Sequence, residues 1–299
     1  MKHICAFFAL LLVFFLMPNA GAQQQKKPSG RKQQPREKLK DGGERKPAKE
    51  RSFKPQINLV PDSGVENGSG RYPASWSCID GIASLWGKDG NPGRCLTFDT
   101  TVLQKDKKLF KTDEKAYKGP SKGGQYDAVG AHEGVWAYSE PIDLHKGDLY
   151  FIIACDVKSP VKASELCYPM VLIRGFNKVT AEKAGKDSSW FHTYHKGGPA
   201  YSEMFGPDNL FRPSKEGDYL MVYRHTLACR TIKLNEWQHF EMGFKLPSMP
   251  KFYPERLLLK PYAFWPAAIY HFDNITLRRA TAEEVKAVNN ARQSIRAIE

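Results

Sequence analysis

From Trp237 to Arg279 the chain is written in a two-residue period, and this stretch constrains the fold more than any other. Gln238, Phe240, Met242, Phe244 and Leu246 alternate with His239, Glu241, Gly243 and Lys245, the pattern of a strand with one face in the core. A second β-rich run covers 256–264, and a third covers 267–279. Trp265-Pro266 falls between them, as expected where a strand turns over the end of a sandwich. Further strands are expected at 57–60, 74–79, 94–99, 135–142, 148–157, 168–176, 219–227 and 231–234. Many short strands with turn residues between them and almost no helical period predict an all-β protein, an antiparallel β-sandwich of jelly-roll type. The one convincing helix closes the chain. Thr281 and Glu284 form a capping box, and Val285, Val288, Ile295 and Ile298 recur at helical spacing. That helix is expected to pack on the sandwich or cover a sheet edge.

Not all of the 299 residues can be core. Residues 1–22 combine a basic start, an apolar run from Ile4 to Met17 and a small-residue exit at Ala20-Gly21-Ala22. This reads as a signal peptide cleaved after Ala22, and so as an exported protein (periplasmic, cell-surface or extracellular) with no transmembrane segment in the mature chain. Residues 23–54 hold twelve Lys or Arg against four Asp or Glu and hardly an aliphatic side chain, a composition that cannot offset its own ordering entropy. A disordered basic linker is expected there. It carries +8 of the chain's net +13, so the basic balance belongs mostly to the tail. A basic tail can touch nucleic acid, but export argues against that partner and for an anionic cell-envelope surface or an acidic polysaccharide, with a plain solubilising tether as the other reading of the segment. The organisation is therefore 1–22 signal peptide, 23–54 linker, 55–280 sandwich and 281–299 amphipathic helix.

Five cysteines remain after cleavage: Cys78, Cys95, Cys155, Cys167 and Cys229. The odd number leaves at least one thiol unpaired. Cys78 and Cys95 sit in consecutive expected strands and can bridge, and the other pairings stay open. No Cys-x-x-Cys or zinc spacing occurs.

Several motifs, in order, resemble one group of proteins. Asn58-Leu59-Val60-Pro61 through Glu66 and Gly68, then Pro73-Ala74-Ser75-Trp76, is similar to the opening of secreted bacterial carbohydrate-binding modules with a galactose-binding-domain-like jelly roll. Ser139-Glu140-Pro141-Ile142 with Gly147 and Tyr150, Trp237-Gln238-His239-Phe240 with Pro247, and Tyr262 with Trp265-Pro266 and Phe272-Asp273-Asn274-Ile275 resemble its later strands. Val65 and Ala267-Ala268 depart from the pattern, where Phe and Gly are usual. The resemblance implies a sandwich that binds a glycan or polysaccharide without cleaving it. It also implies a structural calcium near the two chain ends of the sandwich, for which Glu66 and Asp273 are the candidate ligands. Calcium takes hard oxygen donors, so two strand-end carboxylates suit it.

A glycan site needs flat aromatic faces and a few converging polar groups. The long 177–218 connection offers Trp190, Phe191, Tyr194, Tyr201, Phe205 and Phe211, flanked by Arg174 and Arg224 on strands. Trp190, Tyr194, Arg174 and Arg224 are the candidate ligand residues. The same aromatics can equally pin the loop to the sandwich. Trp76, Trp237 and Trp265 lie within β patterns and are expected in the core.

No enzyme arrangement stands out. His192 and His195 lack a third ligand at a recognisable interval, and Gly-x-Ser-x-Gly and phosphate-binding glycine loops are absent. Two other functions stay open, a structural or adhesive envelope protein held by its basic tail and a jelly-roll polysaccharide hydrolase or lyase.

Overall fold

A computed structural model describes residues 57–77, 79–113, 115, 118–178, 210–211, 219–250 and 252–296. All belong to the compact unit Gln56–Glu299. Short strands β1 (Gly68–Ser69), β2 (Tyr72–Pro73) and β3 (Trp76–Ser77) precede a hairpin of β4 (Ser84–Gly90) and β5 (Gly93–Asp99). Helix α1 (Gln104–Thr112) follows, then β6 (Val135–Trp136), β7 (Tyr138–Ser139), β8 (Ile142–Asp143), β9 (Tyr150–Lys158) and β10 (Met170–Lys178). The remainder is β11 (Leu210–Phe211), β12 (Tyr219–Ala228), β13 (Trp237–Lys245), β14 (Arg256–Ala263), β15 (Ile269–Arg279) and helix α2 (Ala282–Arg296).

Two antiparallel sheets stack into the sandwich. One runs β11-β12-β10-β14-β6 with β8 also on β14, and the other runs β13-β9-β15-β5-β4. Leu96, Phe98, Phe151, Ile153 and Phe272 from the five-stranded sheet meet Val171, Ile173, Leu227, Leu257 and Leu259 from the six-stranded one. All ten are fully buried. At about 1.5–3 kcal/mol for each large apolar side chain, this layer dominates the stability of the fold. The alternation at 237–246 sends Met242 and Phe244 inward, as the period requires.

The chain ends of the sandwich meet. Asn58 bridges Arg278, the Leu59 amide donates to the Leu277 carbonyl at 2.7 Å, and the Ile275 amide donates to Ser63 at 2.9 Å. Residues 57–60 make this bridge without forming a strand, and 231–234 is a loop. Of 74–79 only Trp76–Ser77 pairs, with β7. The run 135–142 is three two-residue strands rather than one, because β6 and β8 join β14 whereas β7 turns aside to β3. Besides the two-residue strands β1, β2 and β11, two longer elements were not expected. The strand Ser84–Gly90 is hidden in sequence by Gly87, Lys88, Asp89 and Gly90, and α1 lies inside the Lys-rich connection 100–131.

Helix α2 begins at the anticipated capping box: the Glu284 amide donates to Thr281 Oγ1 at 3.2 Å, and the Thr281 amide donates to Glu284 Oε2 at 2.7 Å. It covers the exposed edge of β13. The Asn289 carboxamide accepts from the Gly243 amide at 3.0 Å and donates to its carbonyl at 2.9 Å, satisfying the edge backbone. A Cβ at Gly243 would stand 2.8 Å from the Val285 Cα and Cγ1. Gly243→Val is therefore expected to lift the helix and cost about 2 kcal/mol. Urea unfolding, with amide exchange over 282–296, checks this; an unchanged midpoint and unchanged protection would contradict it.

Candidate functional site

The outer side of the six-stranded sheet carries a row of aromatic rings. In β14, Leu257, Leu259 and Ala263 point into the core, so Leu258, Lys260 and Tyr262 point away from it. Val135 and Ala137 are buried in the same way, which leaves Trp136 and Tyr138 half-buried on the outer side. Tyr262 pairs with Trp136 in register, and their rings lie 6.4 Å apart at 28°. Phe264 continues the row, 5.7 Å from Tyr262 at 26°. Beyond it Trp265 stacks on the exposed Tyr126 at 5.9 Å and 13°. The result is a ladder of aromatic rings in nearly parallel planes along one sheet edge.

Cations are set into this ladder. Lys260, 5 % exposed, holds its Nζ 4.3 Å from the Trp136 ring centre, 5.1 Å from that of Tyr138 and 5.9 Å from that of Tyr262. These distances are within reach of the negative ring faces. Lys107 of α1 reaches the same Trp136 indole at 5.0 Å while it pairs with Glu133 at 3.0 Å. Glu133 also accepts the Tyr262 hydroxyl on its carbonyl at 3.1 Å, so the ladder is anchored at several points.

Arg174 and Arg224 stand directly opposite each other across β10 and β12, and Arg174 in turn opposes Leu258. Leu258 is two residues from Lys260, so both arginines share the ladder's sheet face. Trp190 and Tyr194 lie outside the described residues. Trp136, Tyr138, Lys260 and Tyr262 were not singled out from sequence. The available signal was their phase, since bulky rings occupy the outward positions of strands whose inward positions are Val135, Ala137 and Ala263. Trp76 is buried at 4 % as expected, but Trp237 and Trp265 are half-exposed on outer surfaces rather than in the core.

Glu66 and Asp273 converge at the other sheet. Asp62 shapes the first loop by accepting from the Glu66 amide at 3.0 Å and the Asn67 amide at 3.1 Å. Glu66 then accepts the Arg94 amide at 3.1 Å and lies against Gly93, where any Cβ would collide with its carboxylate. Asp273, fully buried, accepts the amides of Asn91 and Asn274. Asp156 takes the Asn274 side chain at 2.8 Å and His239 Nδ1 at 2.7 Å. Burial pushes the Asp273 carboxyl up; the two amide bonds pull against this, and the charges of Glu66 and Asp156 add to the rise, leaving it at about 6. Burial also works against the charged Asp156, but its bonds to His239, Asn274 and Asn91 and the His239 charge outweigh this and hold it below the usual carboxylate range.

Among the described residues no three His, Cys, Asp or Glu side chains converge as a ready metal cage. The groups here are hard oxygen donors, the type a divalent cation such as calcium takes. They are two carboxylates whose charges repel, with the Asn91 carbonyl, which accepts Asn274 Nδ2 at 2.7 Å, beside them.

The pH consequence has a definite sign. A folded-state pKa above the ordinary 3.8 means that the fold holds the proton more tightly than the unfolded chain. Stability in chelator is therefore expected to fall as pH rises from about 4 through 6, by roughly 3 kcal/mol. Asp273→Asn should flatten this slope, as followed by thermal unfolding between pH 4.5 and 7.5. Parallel curves for the two proteins would contradict the assignment.

No family model matches the chain, and no curated protein matches it. Distant likenesses to solved structures exist. A family 16 carbohydrate-binding module has TM-score 0.38 at 12 % identity, over 74 % of this chain and 99 % of the module. A putative sugar-binding protein from Bacteroides thetaiotaomicron gives 0.37 at 8 %, over 75 % and 100 %. A cyclase from a Fischerella species gives 0.36 at 10 %, over 75 % and 99 %. Similarity this remote, spread over binding modules and an enzyme, leaves function to be argued from the site.

Proposed function

We propose that this is an exported, non-catalytic protein that binds a glycan or polysaccharide on the outer face of its six-stranded sheet, with a structural calcium at Glu66 and Asp273. The observation that carries the reading is the Trp136–Tyr262–Phe264 ladder with Lys260 set among its rings. Pyranose rings present apolar C–H faces and equatorial hydroxyls. A row of nearly parallel aromatic planes takes the first. Arg174, 7 % exposed, and Arg224 lie on the same sheet face as the ladder. The cation's role is to neutralise the crowded carboxylates that join the first loop to β15. Among the described residues no helix is long and apolar enough to cross a membrane.

Affinity electrophoresis through gels containing soluble neutral glycans tests the binding reading. At least one polysaccharide should retard the full chain in proportion to its concentration. Unchanged mobility across glucans, xylans, mannans and galactans would overturn the reading. Calorimetric titration of chelator-treated protein with calcium tests the cation. Saturable binding in the wild type that is lost in Glu66→Gln is expected, and no heat and no thermal shift would remove it.

A further inference from the structure

The outer face of the five-stranded sheet, opposite the ladder, carries a groove of about 900 Å³ that the proposed function does not use. This lies in the range of pockets that enclose small ligands. Its floor is β4, β5 and β15. Leu85, Thr97, Ile269 and His271 line it, and Gly87 between them leaves the sheet surface low, since a Cβ there would run into the Thr97 hydroxyl. Its rim is cationic: Arg71, Lys88, Arg94 and Lys158 stand against the single carboxylate of Asp89. Two of these cations are held in place by aromatic rings. The Arg94 guanidinium lies 3.9 Å from the centre of the Trp86 ring, with Trp86 Nε1 anchored on the Val65 carbonyl at 2.7 Å. Lys158 Nζ lies 5.1 Å from the centre of the Trp237 ring, which in turn packs 6.3 Å from His271. His271 Nδ1 meets the Thr97 hydroxyl at 3.0 Å, so the floor also has polar atoms suited to hydroxyl partners.

We propose that this groove is a second binding site, for an acidic polysaccharide segment recognised through its carboxylates. Four cations spread along an open groove match charges repeated along a chain. A floor of mixed Leu85, Ile269, Thr97 and His271 matches sugar rings better than it matches a compact inorganic anion. The site shares no side chain with the aromatic ladder, so either can fail without the other.

The test is affinity electrophoresis of the full chain in polygalacturonate, in the same polymer methyl-esterified, and in dextran sulfate, with Lys88→Ala/Lys158→Ala, Lys88→Arg/Lys158→Arg and Trp136→Ala variants. Polygalacturonate should retard the wild type, and methyl esterification should abolish the effect. The double alanine variant should bind at least tenfold more weakly, the double arginine variant should retain binding, and Trp136→Ala should behave as wild type. Equal retardation of the double alanine variant would assign the effect to residues 23–54 and overturn the site. Equal affinity for the esterified polymer would remove the role of charge. Equal or stronger dependence on Lys88 and Lys158 in dextran sulfate would show ion exchange without carboxylate recognition and would overturn the proposal as well.

Discussion

Refolding in a disulfide-donating buffer is expected to join Cys155 to Cys229 and raise stability by about 4 kcal/mol. The two sulfur atoms lie 3.5 Å apart, both fully buried, one on β9 of the five-stranded sheet and the other just past β12 of the six-stranded sheet. A bond between them would tie the two layers together through the core. It would close a loop spanning 74 residues of sequence separation, and the entropy removed from the unfolded chain scales with the logarithm of that length. In the native state the pair is inert. Burial, its hydrogen bond and charge coupling to Cys229, and the Asp156 charge push the Cys155 thiol well above its ordinary value, so little thiolate forms. Oxidation therefore has to happen while the chain folds, with oxidised glutathione as the acceptor of the two electrons and reduced glutathione as the product. Intact mass should fall by about two hydrogens per chain. Urea midpoints should separate with and without reductant, and Cys155→Ala/Cys229→Ala should show neither change. An unaltered mass, or coincident unfolding curves, would contradict this.

The second large effect concerns binding. Trp136→Ala combined with Tyr262→Ala is expected to weaken glycan affinity at least a hundredfold, about 2.7 kcal/mol. Each ring contributes a stacking face, and Tyr262 also fixes the ladder through its hydroxyl bond to Glu133. Removing both also strips Lys260 of two of the three rings around its ammonium group. Because these side chains point outward from β6 and β14, the sandwich should keep its fold, with a urea midpoint within the range of ordinary surface changes. A variant that stays folded and binds as tightly as wild type would place the site elsewhere. Loss of folding would be separated from loss of binding by Tyr262→Phe, which retains the ring and should cost less than tenfold.

The frame of the molecule was legible because packing and period agree. In β13 and β15 the alternation that marks a strand also decides which side chains fill the core, so residues such as Phe244 and Phe272 announce both at once. Glu66 and Asp273 were paired through the resemblance alone; Glu66 lies in the loop before β1 and Asp273 within β15. What stayed hidden was structure that has no period of its own. The outer face of β4 is Leu85 and Gly87, and its tip is Lys88-Asp89-Gly90, residues that read as a turn until β5 pairs with them. Helix α1 is mostly lysine outside Leu109 and Phe110, and its buried Lys107 and Asp106 are stabilised by Glu133 and by Ser121, contacts that sequence spacing does not reveal. The ladder was missed for a related reason. Trp136 and Tyr262 are distant in sequence, and only the register of β6 on β14 makes them neighbours. Arg174 and Arg224 were correctly placed on strands, and their direct opposition across β10 and β12 follows from a pairing that only the fold supplies.

The six tryptophans provide the most direct test of the glycan site. Their indole N–H resonances, assigned by Trp→Phe variants, can be followed during titration with an oligosaccharide of a neutral polymer that retards the protein. The Trp136 resonance should shift along a saturable curve, while those of Trp76 and Trp86, whose Nε1 groups donate to the carbonyls of Asp62 and Val65, should stay in place. Saturable binding with a motionless Trp136 indole would contradict the account.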